Sequence, residues 1–486
     1  MRDARPTLDR RPRVRADGSD AVAAAPSRAA ARATQVVRGA GSPPPRGAGA
    51  LDLPRGLTPR VITRRLTNGV IAAVVVLPGH PLGAVAVHVR AGRCYETPEE
   101  AGLAHLVEHL LFRGSARDHG HRAYSHACAR LGADLNASSS YDEVLFHSSV
   151  LPDRARELVD TIGAAITSPR WTEAIVDAER RVVEQELSYY LDDKGPREPR
   201  HICLRDCVPG SYVDRDVCGS RASVAQLTLA HAKAHHARHY VGANMVVVVA
   251  GPYGDEAFGW IERAFGALPC GAPVEPIPPP CPVVRRPVMR TIRYPCDPQI
   301  RLVFEVPASV DELGVQLALT YLGTTSGPLY QTLAMDIGTT YNVHAGWTSA
   351  LGERVIDVMA DVRESEMSRA LGAMTGVMAR LALDGPPAED LAWLAALHEW
   401  QLRQEITSAP RYAWKVGNAL LTGRRLPDAD SDLRRLTRLR PEHLRMLFRA
   451  LSERMFVRAM CLPAATSTSS GDGGFEGRSS AAARSG

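Results

Sequence analysis

The chain reads as an α+β protein built from two homologous, α/β-sandwich-like halves joined by a proline-rich linker. Three observations carry this reading. Short apolar runs of strand character are grouped apart from long helical stretches, the pattern of sheets with helices segregated to one side. Five prolines fall between Pro273 and Pro280, which neither a helix interior nor a central strand tolerates. Beyond them a similar order of elements recurs. At 486 residues and 52.5 kDa the chain also exceeds one ordinary core.

Taken in order, residues 1–57 are expected to be a disordered extension. Their first fifty hold ten arginines, four aspartates and a Pro43-Pro44-Pro45 run, and lack the apolar core of a secretory signal. A first half over 58–272 begins with strands at 61–66 and 70–77 flanking Thr67-Asn68-Gly69, a strong hairpin signal. Residues 82–89 alternate as a third strand. Thr97, Pro98 and Glu100 have the spacing of a helix start, so a helix is predicted from about 98 to 112. Further helices are predicted at 155–166, 172–191 and 226–239, and strands at 144–150 and 245–250. The linker, 273–285, reads as a stiff spacer. In the second half, 286–462, strands are predicted at 301–306, 341–347 and 355–362, and helices at 310–322, 365–383 and 388–406. Arg403-Gln404-Glu405-Ile406 echoes Glu184-Gln185-Glu186-Leu187. A Ser/Gly/Ala-rich tail, 463–486, is expected to be disordered.

Composition narrows the function classes. Hydrophobic content of 45% is that of a globular protein, and no apolar run approaches the ~20 residues that span a bilayer. The net charge of +5 is small, and its basic side is 55 arginines against 3 lysines. That bias points to a G+C-rich coding sequence rather than to nucleic-acid binding, because no aromatic-basic motif accompanies it. Nine scattered cysteines without a C-x-x-C pair fit reduced thiols in a bacterial cytoplasm, with the mitochondrial matrix as the alternative. Cys203, Cys207 and Cys218 have no fourth ligand at an obvious spacing and are not read as a metal site.

The chemistry is concentrated in His105-Leu106-Val107-Glu108-His109. On a helix, positions i and i+4 share a face, so both imidazoles reach one ion while Glu108 lies beside them as a general base. A catalytic zinc keeps three protein ligands and an open position, so another carboxylate is required. The helix 172–191 offers it, with an apolar stripe of Ile175, Ala178, Val182, Val183, Leu187 and Tyr190. Glu179 and Glu186, two turns apart, share a side. One can bind metal while the other supports a ligand through a hydrogen bond. Helical phase alone leaves Glu184 open. His231, His235 and His239 also repeat at i+4 but enclose no acid, and they read as packing or surface residues. His119, His121 and His126 read as bystanders.

His105-x-x-Glu108-His109 with the Glu184-Gln185-Glu186-Leu187 segment resembles the inverzincin metallopeptidases related to pitrilysin and insulin-degrading enzyme, whose glutamate ligand corresponds to Glu186, 77 positions after His109. Phe112-Arg113-Gly114-Ser115, Asn136-Ala137 and His236-Ala237-Arg238-His239-Tyr240 extend the likeness. The resemblance implies half of a clamshell peptidase, sized like mitochondrial processing peptidase-type bacterial subunits. It further implies one zinc per chain on His105, His109 and Glu186, catalysis by Glu108, and an extended peptide substrate along a strand that includes Asn136. Glu179 would support the metal site. The family's L-R-E-x-x-G-L-x-Y segment implies an arginine and a tyrosine over the zinc; here Tyr341 remains and Ala334 replaces the arginine. The resemblance implies a homodimer, or a heterodimer with a related subunit that supplies an arginine-tyrosine pair. The resemblance also allows a noncatalytic assembly subunit.

Overall fold

The computed structural model describes residues 58–118, 120–191, 211–278, 288–294 and 297–463, so the expected N-terminal extension, the tail from 464, part of the linker, His119, Cys203 and Cys207 lie outside the described residues. Two sheets organise the rest. The first contains β1 (Arg60–Arg65), β2 (Ile71–Val76), β3 (Gly83–Val89), β4 (Asn136–Ser139), β5 (Val144–Val150) and β6 (Met245–Gly251), in the order β1-β2-β6-β3-β5-β4. The β1–β2 hairpin turns at Asn68-Gly69, where Gly69 has φ +96. β3 and β6 are buried on both faces, which is why they read as continuous Val/Ala runs.

One face of this sheet carries α1 (Leu103–Leu111), α3 (Ala155–Thr167), the helix Glu256–Phe265 and, beyond α2 (His121–Leu131), α4 (Glu173–Leu191). The other face is covered by a helix from far along the chain, Ala409–Thr422. Its Ala409, Tyr412, Ala413 and Val416 pack on Ala73, Val75, Ala86 and Val248. Gly417 lets it approach closely, since a Cβ there would lie 2.1 Å from His88 Nε2. His88 in turn meets Glu143 at 2.8 Å, and Asn418 donates to the same carboxylate.

The second sheet comprises β7 (Val288–Tyr294), β8 (Gln299–Glu305), β9 (Thr340–Ala350), β10 (Glu353–Val362) and β11 (Met455–Pro463), in the order β7-β11-β8-β10-β9. Helices Glu312–Gly323 and Met367–Leu383 bury Leu317, Tyr321, Met374 and Met378 against Ile300, Leu302 and Phe304. The helix Asp390–Ile406 adds Leu394 to that core. Residues 274–277 of the proline-rich stretch are pinned to the first half: the Val274 N–H donates to Asn244 Oδ1 and the Ile277 N–H to the Cys94 carbonyl.

The structure corrects two local expectations. The metal-motif helix begins at Leu103, not Pro98, because Gly102 stands at φ +91 and breaks the helical path. Thr97 and Glu100 still exchange reciprocal hydrogen bonds, but they close a turn rather than start the helix. Val182 is exposed, 45%, instead of joining the apolar stripe of α4, which is formed by Val176, Val183 and Leu187.

Candidate metal centre

α1 is apolar almost all round: Leu103, Ala104, Leu106, Val107, Leu110 and Leu111 are at most 1% exposed. Such a helix is stable only when buried, and the strip left for polar groups holds His105, Glu108 and His109. Its N-terminus is capped by a carboxylate that the sequence did not flag. Glu96, 1% exposed, accepts from the backbone N–H groups of Gly102 and Ala104 and pairs with Arg93 at 3.4 Å. Burial pushes its carboxyl up to about 8, against the lowering effect of Arg93.

α4 brings its carboxylates to the histidines. Glu186 Oε2 lies 3.6 Å from His105 Nε2 and 3.4 Å from His109 Nε2, and the two Nε2 atoms are 3.3 Å apart. Three donors bound at ~2.1 Å with tetrahedral angles lie about 3.4 Å from one another. The triangle therefore has the size of a single zinc ion's ligand set. Glu184 has no hydrogen bond or ion pair with the imidazoles among the described residues, so it is Glu186 that the fold brings beside them.

The His109 ring spans both turns of α4, with Nδ1 3.2 Å from Glu179 Oε2 while Nε2 faces Glu186. That contact favours a proton on Nδ1 and leaves the Nε2 lone pair for a metal. Arg113 holds the other Glu179 oxygen. Burial drives the His105 pKa down to about 4, aided by His109 and opposed by Glu186. Contact with His109, with the nearby His105 acting in the same direction, holds Glu186 below the usual carboxylate range despite its own burial. Both shifts favour neutral imidazole beside an ionised carboxylate, the protonation states that bind a cation.

Glu108 is 8% exposed and accepts a hydrogen bond of 2.6 Å from Ser139 Oγ. Burial raises its pKa, and the Ser139 hydroxyl opposes the rise. Ser139 was not identifiable from the motif; it arrives because β4 is the sheet edge beside α1. Asn136 opens that strand exposed, its Oδ1 accepting from the Ala137 N–H. β4 pairs with β5 on one side and is the last strand in the order. Tyr341 is the second residue of β9, also an edge strand, and is 91% exposed; Ala334 sits in the preceding helical turn Gln331–Asp336.

Other histidines behave as packing residues. His235 and His239 are 1% exposed, and His231 closes the N-terminal turn of the helix Leu229–His239 through Thr228. Cys218 is the unexpected neighbour. Its sulfur and one ligand atom each of His105 and Glu186 lie within 4.8 Å of one another. Burial pushes this thiol up to about 12, reinforced by Asp216, Glu186, Glu108 and Glu96.

Two family models match the chain. Residues 74–199 match "Insulinase (Peptidase family M16)" and residues 226–394 match "Peptidase M16 inactive domain". The mitochondrial-processing peptidase subunit beta of Saccharomyces cerevisiae is 24% identical over 231 residues, 45% of this chain and 49% of that protein. A probable zinc protease of Escherichia coli, PqqL, is 28% identical over 230 residues, 44% of this chain and 24% of that one. The matched region thus spans about half or less of these relatives. The crystal structure of a protease from Helicobacter pylori superposes with a TM-score of 0.75 at 17% identity, covering 84% of this chain and 100% of that one, a likeness of fold.

Proposed function

This chain belongs to the insulinase, or M16, peptidase family, and from that premise we propose that it is the metal-bearing subunit of a zinc endopeptidase, with His105, His109 and Glu186 holding one zinc per chain. The observation that carries the reading is the triangle of donor atoms with edges of 3.3, 3.4 and 3.6 Å, beside a buried carboxylate. Zinc held by that set would supply Lewis acidity and would lower the pKa of a bound water toward ~7.

The chain's own groups do the rest. Glu108, steadied by Ser139, takes a proton from the attacking water and returns it to the departing amide nitrogen. Burial raises the Glu108 pKa, which favours keeping the proton it takes up until the leaving nitrogen accepts it. Glu179 keeps the His109 ring oriented through both steps. The edge strand β4 offers main-chain groups to an extended peptide, and Asn136 lies at its start. Peptide pairing of this kind tolerates many sequences, which suits cleavage of a precursor or leader segment.

Ala334 bears on whether the chain acts alone. Without the family's arginine, no guanidinium from this segment reaches a substrate carbonyl, so a related subunit that retains the arginine would complete a two-subunit chamber. The same substitution, together with the match to an inactive-domain model, favours a second reading as a noncatalytic assembly subunit. A cleavage assay on an extended peptide separates them. The zinc-loaded chain alone should be weakly active, activity should rise on adding a related subunit that retains the arginine, and changing that arginine to alanine should abolish the gain. Robust zinc-dependent proteolysis by the isolated chain overturns the two-subunit part. Absence of cleavage with every such partner, with zinc bound, favours the assembly subunit.

A further inference from the structure

Ser139, the donor to Glu108, is the last residue of β4, and residues 140–143 form the turn that returns the chain into β5. That turn is tied internally. The N–H and the hydroxyl of Ser140 both donate to the Glu143 carbonyl, and the same hydroxyl oxygen accepts from the Glu143 N–H. It is also tied to the segment that leads into α1, because the Arg93 and Cys94 N–H groups donate to the carbonyls of Ser140 and Tyr141. Arg93 pairs in turn with Glu96, the cap of α1. Movement of the turn would therefore be felt at Glu108 and at the start of its helix.

Two groups from the second half grip this turn. The helix Ala409–Thr422 supplies one: Asn418 Nδ2 donates to Glu143 Oε1 at 3.0 Å. Glu143 is 5% exposed, and its other oxygen meets His88 Nδ1 at 2.8 Å, so both oxygens are engaged. The hairpin between β9 and β10 supplies the other, through the Leu351 N–H, which donates to Asp142 Oδ1 at 3.0 Å. Leu351 has φ +48 and shares a two-residue turn with Gly352 at φ +89, where asparagine or glycine is the ordinary occupant. Such strain persists only where the surroundings hold it. Here the Asp142 bond and the packing of the leucine against the cluster of Cys94, Tyr141 and Val213 do so.

We propose that the second half positions the general base: Asn418 and the Leu351–Gly352 turn clamp residues 140–143, and the clamped turn holds the Ser139 hydroxyl against Glu108. The proposal rests on Glu108 being the base of a peptidase. Asn418 and Leu351 are positioning residues, which act through Glu143, Asp142 and Ser139 on the group that moves the proton. A half that carries none of the three metal ligands thereby bears on the chemical step as well as covering the first sheet.

A double-mutant cycle separates this role from a contact that only stabilises the fold. Asn418→Ala and Ser139→Ala are compared singly and together, in the zinc-loaded full-length chain and the assembly found active on an extended peptide. Asn418→Ala should lower kcat at least ~5-fold with KM changed by less than about twofold and zinc content unaltered. The double variant should be about as slow as Ser139→Ala alone, since the clamp acts through that hydroxyl. Hydrogen exchange reads the clamp without activity: amides of 136–144 should exchange faster in Asn418→Ala, while those of α3 should not change. Asp142→Ala, which opens the other grip, should give the same pattern and replaces Asn418→Ala if that protein does not fold. Additive losses in the double variant, an unchanged kcat, or unaltered exchange over 136–144 overturns the positioning role and leaves the peptidase reading intact. A zinc-loaded parent that cleaves nothing with any related subunit removes both.

Discussion

The two halves of the molecule put the same kind of helix to different uses. In the first, α4 presents Glu186 to the imidazoles of buried His105 and half-buried His109, and Glu179, seven residues earlier, to the far side of His109. In the second, the helix Asp390–Ile406 ends in the echoing Arg403-Gln404-Glu405-Ile406, but Glu405 is neutralised by Lys415 Nζ at 2.6 Å. Seven residues before it stands a buried histidine, His398, against Gln401. The helices packed against these differ in the same way. α1 offers a His-Glu-His strip, whereas Glu312–Gly323 offers Thr320 to Gln401 and Tyr321 to Asp390. The sheet-and-helix frame needs only the apolar faces, so the polar strip was free to gather two imidazoles and two carboxylates in one half and a set of local pairs in the other.

The comparison is broken most severely at Glu108. Glu108→Gln should keep zinc and lose at least ~10²-fold in peptide hydrolysis, since an amide cannot accept the water proton. The check is cleavage at matched zinc content, in the assembly found active, and activity within tenfold of the parent would remove Glu108 from the base role. The next effect tests whether the halves are independent. Gly417→Ala, in the second half of the chain, should destabilise the first sheet through His88 by about 1–3 kcal/mol in chemical denaturation. An unchanged midpoint would mean that the helix Ala409–Thr422 is not tightly seated.

An effect confined to acid pH distinguishes His398 from the histidines of α1. Burial, assisted by Lys415 and opposed by its hydrogen bond to Gln401, drives its pKa down to about 4. The folded state then binds fewer protons than the unfolded one between about 4 and the ordinary 6.5. Its contribution is present above 6.5 and is lost as pH falls through 4. His398→Gln should remove up to about 2–3 kcal/mol of the acid-dependent loss across that window without altering zinc content. Equal pH slopes for parent and variant would show that the imidazole titrates normally.

What was legible in the sequence follows from the same physics. Strands and helices with a clear period, such as β5, α3 and α4, were readable because one apolar face specified each of them. The sharing of one helix face by His105, Glu108 and His109 was readable because i, i+4 spacing is a local property, whereas Glu186 was singled out over Glu184 only by the family resemblance. The missing parts depend on distant segments. Glu96 caps α1 across a left-handed glycine, and Ser139 reaches Glu108 from a sheet edge. Cys218 approaches through a glycine-to-glycine contact 117 positions from Gly219 to Gly102 along the chain. The helix Ala409–Thr422 reads as an ordinary amphipathic helix, and nothing in its own period says that it covers the opposite half's sheet.

The central claim is that the metal centre lies in the first half alone, on His105, His109 and Glu186. Metal analysis of the purified parent, Glu186→Gln, Glu184→Gln and Glu405→Gln proteins tests it without any substrate. The account predicts about one zinc per chain in the parent and in the Glu184 and Glu405 variants, and a marked loss in Glu186→Gln alone. Full zinc in Glu186→Gln, or loss of zinc on changing Glu405, would contradict it.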